Sequence, residues 1–243
     1  MGDIVKVMRM DFITSAGSVT ANGKGELILG IPLLLLFLAM PLFLSPLLSF
    51  YLIFAAMVLV IPLQNTAKGD LGHLYGILPV KRGNITRARF AYIFLIYLVS
   101  ELVSFLIAWI SILLNLNSLL PDDSALVELG REYYDMAKLP EIGVVFVGFT
   151  MFFCFMFSFM EMMGQIHGRE NEMKILFIFL AGIVVIVLGF TWLASIGVIP
   201  YMDFSGMSEP EAFPTFVIIH IVVGGLCVLF SEITAAKMAA REL

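Results

Sequence analysis

The chain has 243 residues, of which 60% are hydrophobic and 14% charged, with a mean hydropathy of +1.01. Soluble globular proteins average about half apolar and about a quarter charged residues, so this composition excludes an ordinary soluble domain and indicates an integral membrane protein. The net charge of −5 decides little, and Cys154 and Cys227 lie in apolar runs without the spacing of a disulfide framework or a metal site.

The residues at the N-terminus, 1–26, predict an amphipathic helix that lies in the membrane interface. Ile4, Met8 and Phe12 recur four apart, while charged residues occupy other faces. Two apolar runs follow, at about 27–44 and 47–63, and each is close to the roughly 20 residues that cross a bilayer. The short turn between them predicts an antiparallel pair of spans.

A basic segment, Gln64–Tyr92, separates these runs from the next one. Its centre predicts a short helix that Pro79 ends, because four apolar residues recur at helical spacing: Leu71, Leu74, Tyr75 and Leu78. A polar and basic turn then leads to the third span at residue 90. The stripe favours a docking surface for a protein partner, although lipid could also bury it. Topology and anionic headgroups alone could account for the basic residues.

Four further apolar runs predict spans at about 90–114, 142–163, 175–199 and 214–236. With the N-terminus placed in the cytoplasm, 12 of the 14 Lys and Arg residues lie in cytoplasmic segments, and the opposite orientation would invert this ratio. The sequence therefore predicts an all-α membrane protein, with six spans in one domain over residues 27–243 and both termini cytoplasmic.

Three acidic residues within or near the spans are candidates for function. Glu101 lies near the middle of the third span, where an ionisable group is costly. It could line a pathway or act in gating, or it could be a neutral buried carboxyl that holds helices together. Glu161 and Glu232 lie at helix C-termini, where negative charge opposes the helix dipole. We expect basic partners from Lys237, Arg169 or the 81–89 cluster, or else a docking role.

No motif in the sequence predicts catalysis or a metal site. The phosphate-binding pattern G-x-x-x-x-G-K-[ST], the dinucleotide pattern G-x-G-x-x-G and the zinc pattern H-E-x-x-H are all missing. The histidines, His73, His167 and His220, are far apart and have no ligand-like spacing. The sequence therefore contains no recognisable motif of an enzyme.

Several segments together resemble the integral-membrane subunit of bacterial ABC exporters of the peptide and lantibiotic type, with the phenol-soluble modulin exporters as the nearest kind. The likeness covers essentially the whole chain. Its segments are Val7-Met8-Arg9-Met10-Asp11-Phe12, Leu78-Pro79-Val80-Lys81-Arg82, Ala88-Arg89-Phe90-Ala91-Tyr92 and Ser231-Glu232-Ile233-Thr234-Ala235-Ala236-Lys237.

The resemblance implies a division of labour between chains. Two copies of this subunit would face each other around a pathway in the bacterial cytoplasmic membrane, and two separate ATPase subunits would bind ATP and magnesium beneath them. Within segment 65–89, the coupling helix would comprise these residues: Asp70, Leu71, Leu74, Tyr75, Leu78, Pro79, Lys81 and Arg82. The cargo would be amphipathic peptides, including toxins, or hydrophobic compounds.

Two other functions remain open from the sequence. A membrane scaffold or small channel without an ATPase would have the same composition, and its function would survive disruption of the Leu74 stripe. An intramembrane enzyme using Glu101 is the third hypothesis. It lacks a second carboxylate or histidine with convincing spacing.

Overall fold

The computed structural model describes residues 3–10, 56, 60, 82–115, 139–168, 171–197 and 209–240. These residues form five helices and no strand. They are α1 (residues 3–10), α2 (Arg82–Leu113), α3 (Leu139–His167), α4 (Glu172–Ser195) and α5 (Glu209–Ala240). The predictions for spans 27–44 and 47–63 lie outside the described residues, apart from Ala56 and Val60.

Four of these helices, α2 to α5, are long and apolar enough to cross a membrane. Their backbone groups are paired within each helix, as the hydrocarbon core of a bilayer requires. Hydroxyl groups inside the apolar stretches bond to carbonyl oxygens one turn earlier, as Ser104, Thr150 and Thr234 do. The described part of the chain is thus an all-helical membrane protein, as the composition predicted.

Two helices begin earlier than the apolar runs indicated. The polar turn predicted before residue 90 is wrong, because α2 begins at Arg82 and continues without a break to Leu113. Gly83 and Asn84 have low helix propensity, but they lie in the first turn of the helix, where such residues reduce its stability little. Likewise, α5 begins at Glu209 and contains Pro214. That proline is the sixth residue of the helix, so its missing N–H removes one bond, to the carbonyl of residue 210.

The bundle core is formed by α2, α3 and α5. α2 runs antiparallel to the other two, since Phe105 contacts Phe146 of α3 and Phe216 of α5, while the start of α2 meets their C-terminal ends. Ala56 and Val60, both helical, pack into the same core. Small residues permit the close approach, most clearly at Gly143, where an added Cβ would lie 2.9 Å from Phe216 Cζ.

The helix α4 lies against one side of this core. Its Phe179 ring stacks on Phe159 of α3 at 4.4 Å between centroids. Apart from such contacts, α4 exposes apolar side chains along its length, including Ile178, Leu188 and Trp192. A helix that is apolar on all faces and still exposed suits contact with lipid.

The short helix α1 packs on the first turns of α2. Val7 is buried against Ile85 and Ala88, with Ile4 and Met8 partly buried beside them. Val5, on another face of the same helix, is exposed. The predicted amphipathic, interfacial character of residues 1–26 stays a prediction, since residues 11–26 lie outside the described residues.

Candidate functional site

The most unusual contact of the bundle joins α2 to α5 in the middle of both helices. His220 Nε2 lies 3.1 Å from Glu101 Oε1. The other ring nitrogen, Nδ1, lies 2.7 Å from the carbonyl oxygen of Phe216, one turn earlier in α5. Glu101 is 6% exposed, and its second oxygen, Oε2, has no hydrogen-bond partner among the described residues. We call these two residues the mid-span pair.

Further polar groups extend from the mid-span pair along the interface of the three core helices. Tyr97 of α2, Cys154 of α3 and Cys227 of α5 belong to the same buried cluster of the bundle core. The Ser158 hydroxyl lies 3.2 Å from Cys227 Sγ. All four of these added side chains are buried, so polar atoms from α2, α3 and α5 line the inside of an otherwise apolar bundle.

A second polar cluster lies where α2 begins and α3 ends. Arg89 Nη1 donates to Glu161 Oε1 at 3.2 Å, and Gln165 Nε2 donates to the same oxygen at 2.6 Å. Thr86 Oγ1 donates to Gln165 Oε1 at 3.3 Å. Arg89 and Glu161 are both buried. We call this the buried arginine network.

Beside it, an exposed ion pair joins α2 to α5. Arg87 makes a two-pronged contact with Glu232, through Nε to Oε1 and Nη2 to Oε2, each at 2.7 Å. Both side chains are about half exposed. The two glutamates selected from the sequence therefore each contact an arginine of the 81–89 cluster, which leaves Lys237 and Arg169 unnecessary for that role.

A cavity of about 590 Å³ lies at the opposite end of the bundle, between the end of α2 and the starts of α3 and α5. Its lining is largely aromatic, with Phe105, Trp109, Phe213 and Phe216 among the contributors. Phe105 and Phe216 are each one helical turn from a member of the mid-span pair. The volume lies in the range that binds small ligands.

Most of the predicted coupling residues lie outside the described residues, namely Asp70, Leu71, Leu74, Tyr75, Leu78, Pro79 and Lys81. Only Arg82 is described, as the first residue of α2. The coupling role of this segment stays a prediction. Its C-terminal part, residues 82–89, is the first two turns of the helix that carries Glu101.

His220 was not among the functional residues predicted from the sequence. The histidines have neither the spacing of metal ligands nor a convincing spacing for catalysis with Glu101. A usable signal was present, because His220 is an ionisable side chain inside an apolar run, which by itself suggests a functional site or a paired partner.

No protein-family model, curated protein or solved structure matches this chain. In the part of the chain that the structure describes, no group of three or more His, Cys, Asp or Glu residues could hold a metal ion. What the site offers is a shared hydrogen bond in mid-span, an arginine network at one end and an aromatic cavity at the other.

Proposed function

We propose that this chain is the membrane-spanning subunit of an ATP-driven ABC exporter. Two copies form the pathway, each with six spans and cytoplasmic termini in the bacterial cytoplasmic membrane. Separate ATPase subunits bind ATP and magnesium and dock on the coupling residues of segment 65–89. The cargo is an amphipathic peptide or another hydrophobic compound.

The observation that supports this proposal most is the continuity of α2. Because α2 begins at Arg82, residues 82–89 form no turn that would separate a displacement at the proposed coupling residues from the helix that carries Glu101. An unbroken helix transmits such a displacement along its axis to Glu101 in mid-span. A flexible turn at residues 82–89 would have absorbed it.

The contacts at the start of α2 extend the same argument to the other core helices. Arg89 joins α2 to α3 through Glu161, and Arg87 joins α2 to α5 through Glu232. A movement of the first turns of α2 would therefore also displace the C-terminal parts of α3 and α5. The aromatic cavity at the far end of these three helices would then change shape, which suits release of an apolar cargo.

Co-purification tests the proposal. A tagged form of the chain, extracted from native membranes in mild detergent, should bring with it a chain that carries a G-x-x-x-x-G-K-[ST] motif and hydrolyses ATP. Mass spectrometry identifies the motif, and vanadate inhibition checks the activity. Recovery of the tagged chain with no such partner would instead favour the scaffold or small channel.

A further inference from the structure

The donors and acceptors of the mid-span pair determine where a proton must lie. The carbonyl oxygen of Phe216 can only accept, so His220 Nδ1, at 2.7 Å from it, must carry a hydrogen. A neutral histidine has one N–H, and with Nδ1 protonated its Nε2 is an acceptor. Nε2 faces Glu101 Oε1 at 3.1 Å. Two acceptors at this distance repel, so one further proton must lie between them.

That proton can reside on either partner without changing the total charge. On Glu101 it gives a neutral acid that donates to a neutral imidazole, and on His220 it gives an imidazolium that donates to a carboxylate. In both arrangements the pair as a whole is uncharged and His220 keeps both hydrogen bonds. An uncharged pair suits a position in the middle of two apolar helices.

Removal of the proton leaves His220 with only one of its two hydrogen bonds in every arrangement. If Nδ1 keeps its hydrogen, Nε2 and the Glu101 carboxylate face each other as two acceptors. If the hydrogen moves to Nε2, the bond to the Phe216 carbonyl is lost. Either way, a negative charge is left on a side chain that is 6% exposed, and an uncompensated buried charge is strongly unfavourable.

We propose that Glu101 and His220 form a buried binding site for one exchangeable proton, and that loss of this proton, which leaves a buried negative charge, weakens the packing of α5 against α2 at mid-span. The site does not depend on the exporter assignment. It adds a proton-operated contact to a bundle whose proposed energy source is ATP. The weakened packing would act on Phe105 and Phe216, which line the aromatic cavity one turn away.

Other titratable groups lie around the pair on all three core helices. They are Tyr97 on α2, Cys154 on α3 and, through Cys154, Cys227 on α5. A thiol or a phenol could also release a proton in alkaline solution. The test must therefore separate Glu101 from these groups, which substitution of the carboxyl alone does.

The two tryptophans of the chain make the contact measurable. Trp109 lines the cavity and Trp192 lies exposed on α4. In the Trp192→Phe variant, which serves as the parent of the other variants, all tryptophan fluorescence therefore comes from the cavity. Glu101→Gln is the informative variant, because its amide can donate to His220 Nε2 as a protonated carboxyl does but cannot titrate. Glu211→Gln is the matched control, since Glu211 is an exposed glutamate near the start of α5.

The parent, in lipid nanodiscs, is titrated from about pH 5 to about pH 10, which spans the ordinary ionisation of imidazole and thiol groups. We expect a reversible shift of Trp109 emission in the parent and in Glu211→Gln, and complete loss of that shift in Glu101→Gln. Circular dichroism and size-exclusion profiles check that each variant is folded. A parent without a shift, or a shift that persists in Glu101→Gln, would overturn the proposal.

Infrared difference spectra of the same titration supply a second measurement on the unsubstituted pair. The parent should lose the proton signal of the carboxyl or the imidazolium in the pH range of the fluorescence shift. Absence of any such change in that range contradicts the proposal independently of how Glu101→Gln folds.

Discussion

Arg89 of α2 and Glu161 of α3 form an ion pair inside the bundle, with 3.2 Å between Nη1 and Oε1 and with side chains that are 8% and 1% exposed. Arg87, two residues earlier, forms its ion pair with Glu232 in contact with solvent. The same residue type, in the same two turns of one helix, thus makes one buried and one exposed contact. The physics of the two contacts differs, because solvent screens only the exposed pair.

Substitution of each arginine by methionine should distinguish the buried ion pair of Arg89 from the exposed ion pair of Arg87. Arg89→Met removes the guanidinium from beside the buried Glu161 carboxylate and should destabilise the protein by about 3–5 kcal/mol. Arg87→Met breaks only a solvent-exposed pair and should change stability little or not at all. Thermal unfolding in detergent, followed by circular dichroism, measures both variants. Equal losses of stability in the two would contradict the burial that the structure assigns to Arg89.

The sequence predicted the parts of this bundle that hydrophobicity controls. The cores of α2, α3, α4 and α5 lie in the four predicted apolar runs, because the cost of burying polar groups in lipid determines where such helices run. Helix ends were predicted less well. At Arg82 and at Glu209 the helices extend into polar sequence, where hydropathy does not indicate the helix start. There, contacts with neighbouring residues, such as Val7 on Ile85, determine where the helix begins.

Pairs across helices could not be predicted from one sequence. That Glu101 faces His220 depends on how α2 and α5 are rotated about their axes, which packing of large and small side chains determines. Basic partners for Glu161 and Glu232 were easier to predict, because the basic 81–89 cluster was expected on the same membrane face. The helix-dipole reason was wrong, since α3 continues to His167 and α5 to Ala240, which places both glutamates before the last turn. Which arginine serves which glutamate still depended on the fold.

Packing between α3 and the aromatic side chains of its neighbours makes a second prediction. A methyl group at residue 143 would lie 2.9 Å from Phe216 Cζ and 3.0 Å from Phe105 Cε1, so Gly143→Ala should cost about 1–3 kcal/mol. Gly148 of the same helix has open space around it. Gly148→Ala should therefore be neutral or stabilise by up to about 1 kcal/mol, because alanine favours helix. The opposite order of melting temperatures would refute the packing.

The two thiols provide a test of burial. Cys154 is 0% and Cys227 is 4% exposed, so a maleimide should label neither in the folded protein and both after denaturation in SDS. Ser195→Cys, at the exposed end of α4, supplies a matched control that should be labelled before denaturation. Mass spectrometry counts the adducts. Labelling of Cys154 in the folded control variant would be incompatible with the core described here.

Substitution of Leu74 tests the coupling role most directly, because that role requires Leu74 to be buried in a groove of the ATPase. The purified complex in nanodiscs is compared with Leu74→Asp, which places a charge in the stripe, and with Leu74→Met, which keeps its size and apolarity. We expect Leu74→Asp to lose the ATPase partner or its substrate-stimulated ATP hydrolysis, while Leu74→Met retains both. Unchanged hydrolysis and partner recovery in Leu74→Asp would contradict the claim that ATP-driven motion enters this chain through residues 70–82.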